Sequence, residues 1–347
     1  MATIGVLLLN TGTPKKAEKK HVARYLHQFL MDPRVIDLPW IIRWPLVHGL
    51  IIPARLKSST EAYQAIWTNG ASPLSIHSQA LKNALAEQLN SSDSTHRYVV
   101  ELGMRYGEPS IPSAVEQLEK AQCDEWIILP LFPQYASAST GSAIEAVLKC
   151  MGWNIPSFQI KNHFYHYPGF INAYAKIISD TTSLNKPDSF LLFSYHGLPE
   201  RHIEKSQCTH HNTCYQTEKS CPIASTNHPF CYRAQCFLTS KLLADKLALD
   251  PQHYATAFQS RLGKTPWIKP YSDHYLASLI QQGIKHLNVV CPSFVADCLE
   301  TLEEIGIRLK SQWHTLGGES FTLIPCLNSH EMWVHSFAEY IRLLSEQ

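Results

Sequence analysis

The chain has almost no net charge, no long apolar run and no glycine-rich phosphate loop, and each absence narrows its function. Thirty Lys and Arg stand against 29 Asp and Glu in 347 residues, a formal net charge of +1. A nucleic-acid partner demands a concentrated basic surface, so that class is set aside. The first apolar run, residues 4–9, follows no basic segment and stops at Asn10, so no secretory leader is expected. The least polar stretch elsewhere, LPWIIRWPLVHGLII at 38–52, is broken by Arg43, Pro45 and His48 and is too short to span a bilayer. A cytoplasmic protein is expected, its ten cysteines being reduced thiols or metal ligands rather than disulfides. GxGxxG, Walker-A and GxSxG motifs are all missing, which argues against nucleotide binding and an esterase-type nucleophile. No stretch of Gly or Pro is long enough to be a flexible linker.

What is present is a series of short apolar runs that end abruptly in Gly, Pro or small polar residues. They lie at 4–9, 99–103, 126–131, 189–193, 255–258 and 287–290, with a weaker case at 321–324. Such runs, with helical spacing between them at 81–89, 113–120 and 240–247, read as buried parallel strands. The fold class is therefore α/β, with parallel sheets flanked by helices. The runs form two groups, which predicts two similar doubly wound lobes, 1–168 and 169–347, in close contact. A last amphipathic stretch at 330–344 is expected to be a helix packing back across the lobes. Ligands of open α/β sheets bind outside the carboxyl ends of the strands, so chemistry is sought in the loops that follow them.

His196, in SYHGLPER, follows one of those strands. A histidine there is either a proton acceptor or metal ligand, or a turn residue bonded to backbone. Asp297, Glu300, Glu303 and Glu304 put four carboxylates in eight residues. With a helix starting near Phe294, Asp297, Glu300 and Glu304 share one face. That face is either solvated or a track for a cation or protons. Gln259, Ser260, Arg261, Trp267, Tyr271 and Tyr275, with Arg105–Tyr106 and Gln134–Tyr135, read either as the lining of a flat aromatic ligand's pocket or as ordinary core. Arginines there suit an anionic ligand's carboxylates.

Cys208, Cys214, Cys221, Cys231 and Cys236 fall within 29 residues, without a CxxC pair. Four thiolates satisfy zinc or an iron–sulfur cluster, and the polar loop around them has little core of its own. The segment is therefore either a metal centre, the metal supplying the missing folding energy, or a loop of free thiols.

Taken together, LLLNTGTP, FLMDPRVIDLP, NGASPL, MRYGEPSI, LPLFPQYASASTGS, FSYHGLPER, FQSRLGKTPWIKPYSD and CPSFVADCLETLEEI resemble the ferrochelatases in order and spacing. The pair SxHGxP and DxxET, about a hundred residues apart, is the most specific element. The resemblance implies two Rossmann-like, chelatase-type lobes with a porphyrin in the cleft between them, and insertion of ferrous iron into protoporphyrin IX to make haem b. It implies that His196 and Glu300 are the catalytic pair that meets the iron, with Asp297 and Glu304 on an acidic path in a helix containing a π-type turn. It places Thr11, Arg105, Tyr106, Tyr135 and Ser260 at the porphyrin, and residues 38–52 as an apolar lip near membranes. Thr11 departs from the apolar or aromatic residue usual there, and Cys298 stands where some members carry His. Some microbial members hold a [2Fe–2S] cluster in a four-cysteine insert, which implies Cys208, Cys214, Cys221 and Cys231 as ligands, zinc being the alternative. Coproporphyrin chelation, sirohydrochlorin chelation, a non-catalytic haem or metal carrier and an iron–sulfur sensor are the rival readings.

Overall fold

The computed structural model describes residues 2–91, 96–182, 184, 186–206, 230–261, 263 and 265–346. Cys208, Cys214 and Cys221 lie outside the described residues. Two compact units are present: residues 1–132, 137–163 and 328–347 form the first, and 133–136 with 164–327 form the second. The chain passes into the main body of the second unit after His163, where the sequence placed a boundary at 168, and the C-terminal segment from Asn328 groups with the first unit.

The first unit carries a parallel sheet of β1 (Thr3–Gly12), β2 (Arg97–Tyr106), β3 (Glu125–Pro130) and β4 (Ser157–Ile160), in the order β2-β1-β3-β4. Val6, Leu7, Leu8 and Leu9 of the central β1 are wholly buried, as a strand covered on both faces must be. The strand β4 went unforeseen, because an edge strand with no fully buried residue leaves no apolar run in the sequence. Around this sheet lie α1 (Lys19–Leu30), α2 (Trp40–Pro45), α3 (Ile52–Ile66), α4 (Pro73–Leu89), α5 (Ile111–Lys120) and α6 (Ser142–Cys150). Ser72 and Ser110 cap α4 and α5 by accepting the Ser75 and Ser113 N–H groups, each ahead of a Pro in the first turn.

The second unit repeats the topology. Its strands β5 (Ser189–His196), β6 (Tyr254–Gln259), β7 (His286–Val290) and β8 (Ser320–Leu323) run parallel in the order β6-β5-β7-β8. Its helices are α7 (Pro168–Thr181), α8 (Glu200–Glu204), α9 (Tyr232–Lys246), α10 (Ser272–Gln281) and α11 (Lys310–Thr315), with a ten-residue π-helix at Glu300–Leu309. Trp313, Phe193 and Leu276 are wholly buried around this sheet. In both units the chain reverses direction across the sheet beside the first strand, and this switch point is where an α/β ligand site forms. Thr11 lies near the end of β1, and His196 ends β5.

The last helix, α12 (Glu331–Ser345), packs on the first unit. Arg342 donates to the Gln88 carbonyl at 2.5 Å, the Gln159 amide donates to the Leu344 carbonyl at 2.9 Å, and the Tyr98 hydroxyl lies 2.8 Å from that of Ser345.

Gly12 shows how tightly the strand ends are drawn together. Its φ is +101°, and a Cβ there would stand 1.7 Å from the Tyr106 carbonyl oxygen. Gly12→Ala should therefore cost at least about 2 kcal/mol from left-handed strain alone, read as a fall in Cm without a change in denaturant m-value.

Candidate active site

The second unit assembles the histidine and the acidic residues. His196 is held on three sides by its own backbone. Its N–H donates to the Ser293 hydroxyl at 3.1 Å, its carbonyl accepts from the Tyr232 hydroxyl at 2.8 Å, and Gly197 N–H donates to the Gln259 carbonyl at 2.7 Å. A Cβ on Gly197 would meet that carbonyl at 2.8 Å, so the residue after the histidine must be glycine for β5 to end this close to β6.

The imidazole is half-buried, with the Trp267 and Phe294 rings each 6.4 Å away. Its Nδ1 lies 2.6 Å from the Gly197 carbonyl oxygen. A carbonyl can only accept, so Nδ1 carries the proton. In the neutral ring that leaves Nε2 with its lone pair, which is the form of a proton acceptor.

Glu304 sits on the π-helix with both carboxylate oxygens engaged by one residue. Ser260 N–H donates to Oε1 at 2.8 Å and its hydroxyl to Oε2 at 2.5 Å. Ser260 holds φ at +62°, a conformation that side-chain-bearing residues seldom adopt, and the strain buys this two-point grip. Burial raises the Glu304 pKa above the ordinary carboxylate range, and the Glu300 carboxylate adds to the rise. The Ser260 hydroxyl, His196 and Arg308 pull the other way. His196, Glu300 and Glu304 thus share one electrostatic environment. The Cys298 thiol is pushed up by burial and by Glu300, to which it hydrogen-bonds.

The structure corrects the expected geometry of the acidic stretch. The π-helix begins at Glu300 and no regular helix starts near Phe294. Asp297 lies in the loop before it, 5% exposed, where it accepts from the Thr301 hydroxyl at 3.1 Å and the Cys326 N–H at 3.3 Å. Asp297, Glu300 and Glu304 therefore do not line one helix face. Glu303 pairs with Arg308 at 2.9 Å.

In the first unit, Arg105 and Tyr106 converge on Asp32, a residue not singled out in the sequence beyond its motif. Asp32 Oδ2 accepts from Arg105 at 2.6 Å, Tyr106 OH at 2.9 Å and Ser142 OH at 2.5 Å, while Oδ1 accepts from Arg34 N–H at 2.7 Å. Tyr106 is 3% exposed, and burial with Asp32 nearby raises its pKa. The signal available in the sequence was the DPR tripeptide before MRYGEP. Thr11 is half-buried at the end of β1. In the second unit Tyr135 is half-buried and edge-on to Phe230 at 5.1 Å, and its N–H donates to Gln235 at 2.7 Å. Arg261 pairs with Asp273 and stacks on Tyr271 at 4.2 Å. Tyr275 packs on the core of the second unit.

A histidine with a free Nε2 at a switch point, facing carboxylates on a π-helix, is an arrangement for moving protons or a cation at a bound ligand. The ferrochelatase family model matches residues 3–343. The chain belongs to the ferrochelatase family. A ferrochelatase of Legionella pneumophila subsp. pneumophila strain Philadelphia 1 is 53% identical over 97% of this chain and 98% of its own length. One of Coxiella burnetii strain CbuG_Q212 is 49% identical over 97% and 92%. Among solved structures, Bacillus subtilis SirB with Fe3+ superposes with a TM-score of 0.53 at 11% identity, over 99% of this chain and 95% of that one, a likeness of fold. Ferrochelatases are lyases that insert iron into a porphyrin for haem synthesis, and this chain is such a metal chelatase, with ferrous iron as substrate.

The Ser260 hydroxyl favours the charged form of Glu304, so Ser260→Ala should raise that pKa further. A hydrogen bond to a charged group is worth about 1.5–3 kcal/mol, and losing it disfavours the carboxylate form. Because the folded pKa lies above the unfolded one, the folded state binds more protons between the two values. Stability is then fullest below the unfolded pKa and is lost as pH rises through the folded one. Infrared titration of the carboxylate against Glu304→Gln should show the upward shift, and the pH at which stability stops falling should move up with it.

Proposed function

We propose that the porphyrin is protoporphyrin IX and that His196 and Glu300 carry out the chemistry, completing haem b. The observation that carries the assignment is the Nδ1 hydrogen bond of His196, which leaves Nε2 as a base beside acidic groups. Metalation removes two pyrrole N–H protons and leaves two protons for solvent as iron enters the ring. His196 Nε2 accepts a pyrrole proton, and the fixed backbone on either side of it holds the ring where the proton leaves. The raised pKa of Glu304, caused by burial, makes it readier to take up a proton than an ordinary carboxylate, and Glu300 shares its electrostatic environment. Binding a bent macrocycle would present the pyrrole lone pairs to the metal and approach the transition-state geometry.

The preference for protoporphyrin rests on the lip. Trp40, Ile41, Ile42, Trp44 and Leu50 are all exposed, while Arg43 turns inward to the Ile36 and Leu38 carbonyls at 3.1 and 2.9 Å. Extra ring carboxylates would find no arginine outward on this segment. The same exposed side chains suit a peripheral contact with a membrane, and no helix among the described residues is long and apolar enough to cross one. Thr11, Arg105, Tyr106, Tyr135 and Ser260 remain the proposed ring contacts, with Arg105 and Tyr106 acting from the Asp32 anchor. Asp297 and Glu304 remain the proposed acidic path. A cytoplasmic location fits the thiol usage.

The four-cysteine segment is proposed to hold a [2Fe–2S] cluster through Cys208, Cys214, Cys221 and Cys231. Four thiolates are the donor set such a cluster requires, and zinc accepts the same set. Among the described residues no group of three or more metal-ligating side chains is present. Cys231 is buried immediately before Tyr232, whose hydroxyl holds the His196 carbonyl, so a group bound there would brace that strand end. When bound, the cluster would supply folding energy to a polar loop.

His196→Ala should abolish conversion of protoporphyrin bands to haem bands under anaerobic ferrous iron while porphyrin still binds. Retained turnover refutes the assignment, and binding without turnover in the wild type favours the carrier. Equal or faster turnover of coproporphyrin overturns the substrate choice. Anaerobically purified protein should contain iron and acid-labile sulfide in equal amounts, whereas stoichiometric zinc without sulfide would replace the cluster by a zinc site.

A further inference from the structure

Gln259 ends β6 opposite His196 in the parallel pairing and is buried at 4% exposure. Its side-chain amide reaches three separate elements. Nε2 donates to the Glu300 backbone carbonyl at 2.8 Å. Oε1 accepts from the Ser194 hydroxyl at 2.8 Å and from the Cys291 thiol at 3.7 Å, one residue beyond β7. Ser194 Oγ lies 2.8 Å from the Ser272 hydroxyl, so the network continues to the first residue of α10. The Glu300 carbonyl can only accept, which fixes which end of the amide faces the π-helix.

A buried amide is costly unless its polar atoms are matched, and a matched one is directional in a way that an apolar side chain is not. Here the direction points at the residue where the π-helix starts. An i→i+5 turn is rare and occurs frequently at functional sites. The backbone carbonyl of Gln259 meanwhile takes the Gly197 N–H, so one residue touches both the histidine loop and the glutamate helix.

We propose that Gln259 is a positioning residue for iron insertion, a buried amide that sets where the π-helix begins and hence where the Glu300 carboxylate stands relative to His196. The proposal rests on His196 and Glu300 as the catalytic pair. Ser194 acts through Gln259 by holding its Oε1.

The test uses the full-length protein as purified anaerobically and compares Gln259→Met, Ser194→Ala, the double variant and Glu300→Gln. Gln259→Met keeps the side-chain length and removes the polar ends. It should lower kcat at least about tenfold with the KM for protoporphyrin nearly unchanged, because misplacement of a reacting group is paid in the transition state. The pH profile of kcat should shift as Glu300 moves relative to Glu304 and His196. Ser194→Ala should give a smaller loss, and the double variant should lose no more than Gln259→Met, since the two act as one unit. Additive losses, an unchanged kcat and pH profile, or a fall in kcat that only tracks weaker porphyrin binding and a lower Tm would each overturn the proposal. Should Gln259→Met fail to fold, Ser194→Ala alone decides, and wild-type kcat and pH profile in it overturn the proposal. Retained turnover in Glu300→Gln overturns the catalytic pair and the proposal with it. Full turnover in Gln259→Met beside an inactive Glu300→Gln overturns the proposal alone.

Discussion

The close approach of two parallel strand ends, where Gly197 N–H meets the Gln259 carbonyl at 2.7 Å, is the constraint on which the candidate site depends. A side chain on residue 197 would push β5 away from β6. Because the strands end together, His196 projects beside Gln259 and Ser260, and the residues that follow β6 reach the π-helix. The Tyr232 and Ser293 hydroxyls then hold the histidine backbone from α9 and from the loop after β7. A side chain whose backbone is held in this way has little conformational freedom left to lose when a ligand arrives, which is the physical content of preorganisation.

The same topology serves different chemistry in the two units. In the first, the last residues of β2 and the first of α6 are gathered by Asp32, whose buried carboxylate neutralises Arg105 and satisfies two hydroxyls. That cluster is electrostatically closed: one anion, one cation and matched donors, as a buried charge requires. In the second, the carboxylates are left with fewer cations. Arg308 reaches Glu303 at 2.9 Å and Glu304 only at 3.9 Å, and burial raises the Glu304 pKa. The two units thus differ in charge balance: the first cluster is neutralised within itself, and the second leaves its buried carboxylate less fully paired.

Seven of the eight strands among the described residues were readable in advance because a buried parallel strand leaves a continuous apolar run, and β4 was not because its residues are only half-buried or exposed. His196 stood out in the sequence as a polar residue shortly after such a run, and Glu300 and Glu304 as members of a group of four carboxylates in eight residues. The geometry of the acidic stretch was not. An α-helical period from Phe294 aligns Asp297 with Glu300 and Glu304, but the chain stays irregular until it reaches Glu300, and Asp297 turns into a buried pocket with Thr301 and Cys326. Helical periodicity cannot say where a helix begins when no capping residue marks the start, and Leu299 precedes this one. Ser260 and Gln259 were placed at a ligand pocket by their position after a strand, while their side chains are turned to Glu304 and to the Glu300 carbonyl.

The sequence by itself determined the α/β class, the parallel strands, the family and the residue types available for chemistry, because burial of apolar runs and ordered motifs are local properties of the chain. Only the tertiary structure decided the tautomer of His196, the grip of Ser260 on Glu304, the departure of Asp297 from the acidic face and the junction made by Gln259. Each of these is a hydrogen bond between residues 29 to 65 positions apart, or a backbone conformation that such a bond sustains, apart from the His196 Nδ1 bond to its neighbour. Directional bonds of this kind depend on which strand ends meet, and that is settled by the packing of the whole sheet rather than by any one segment.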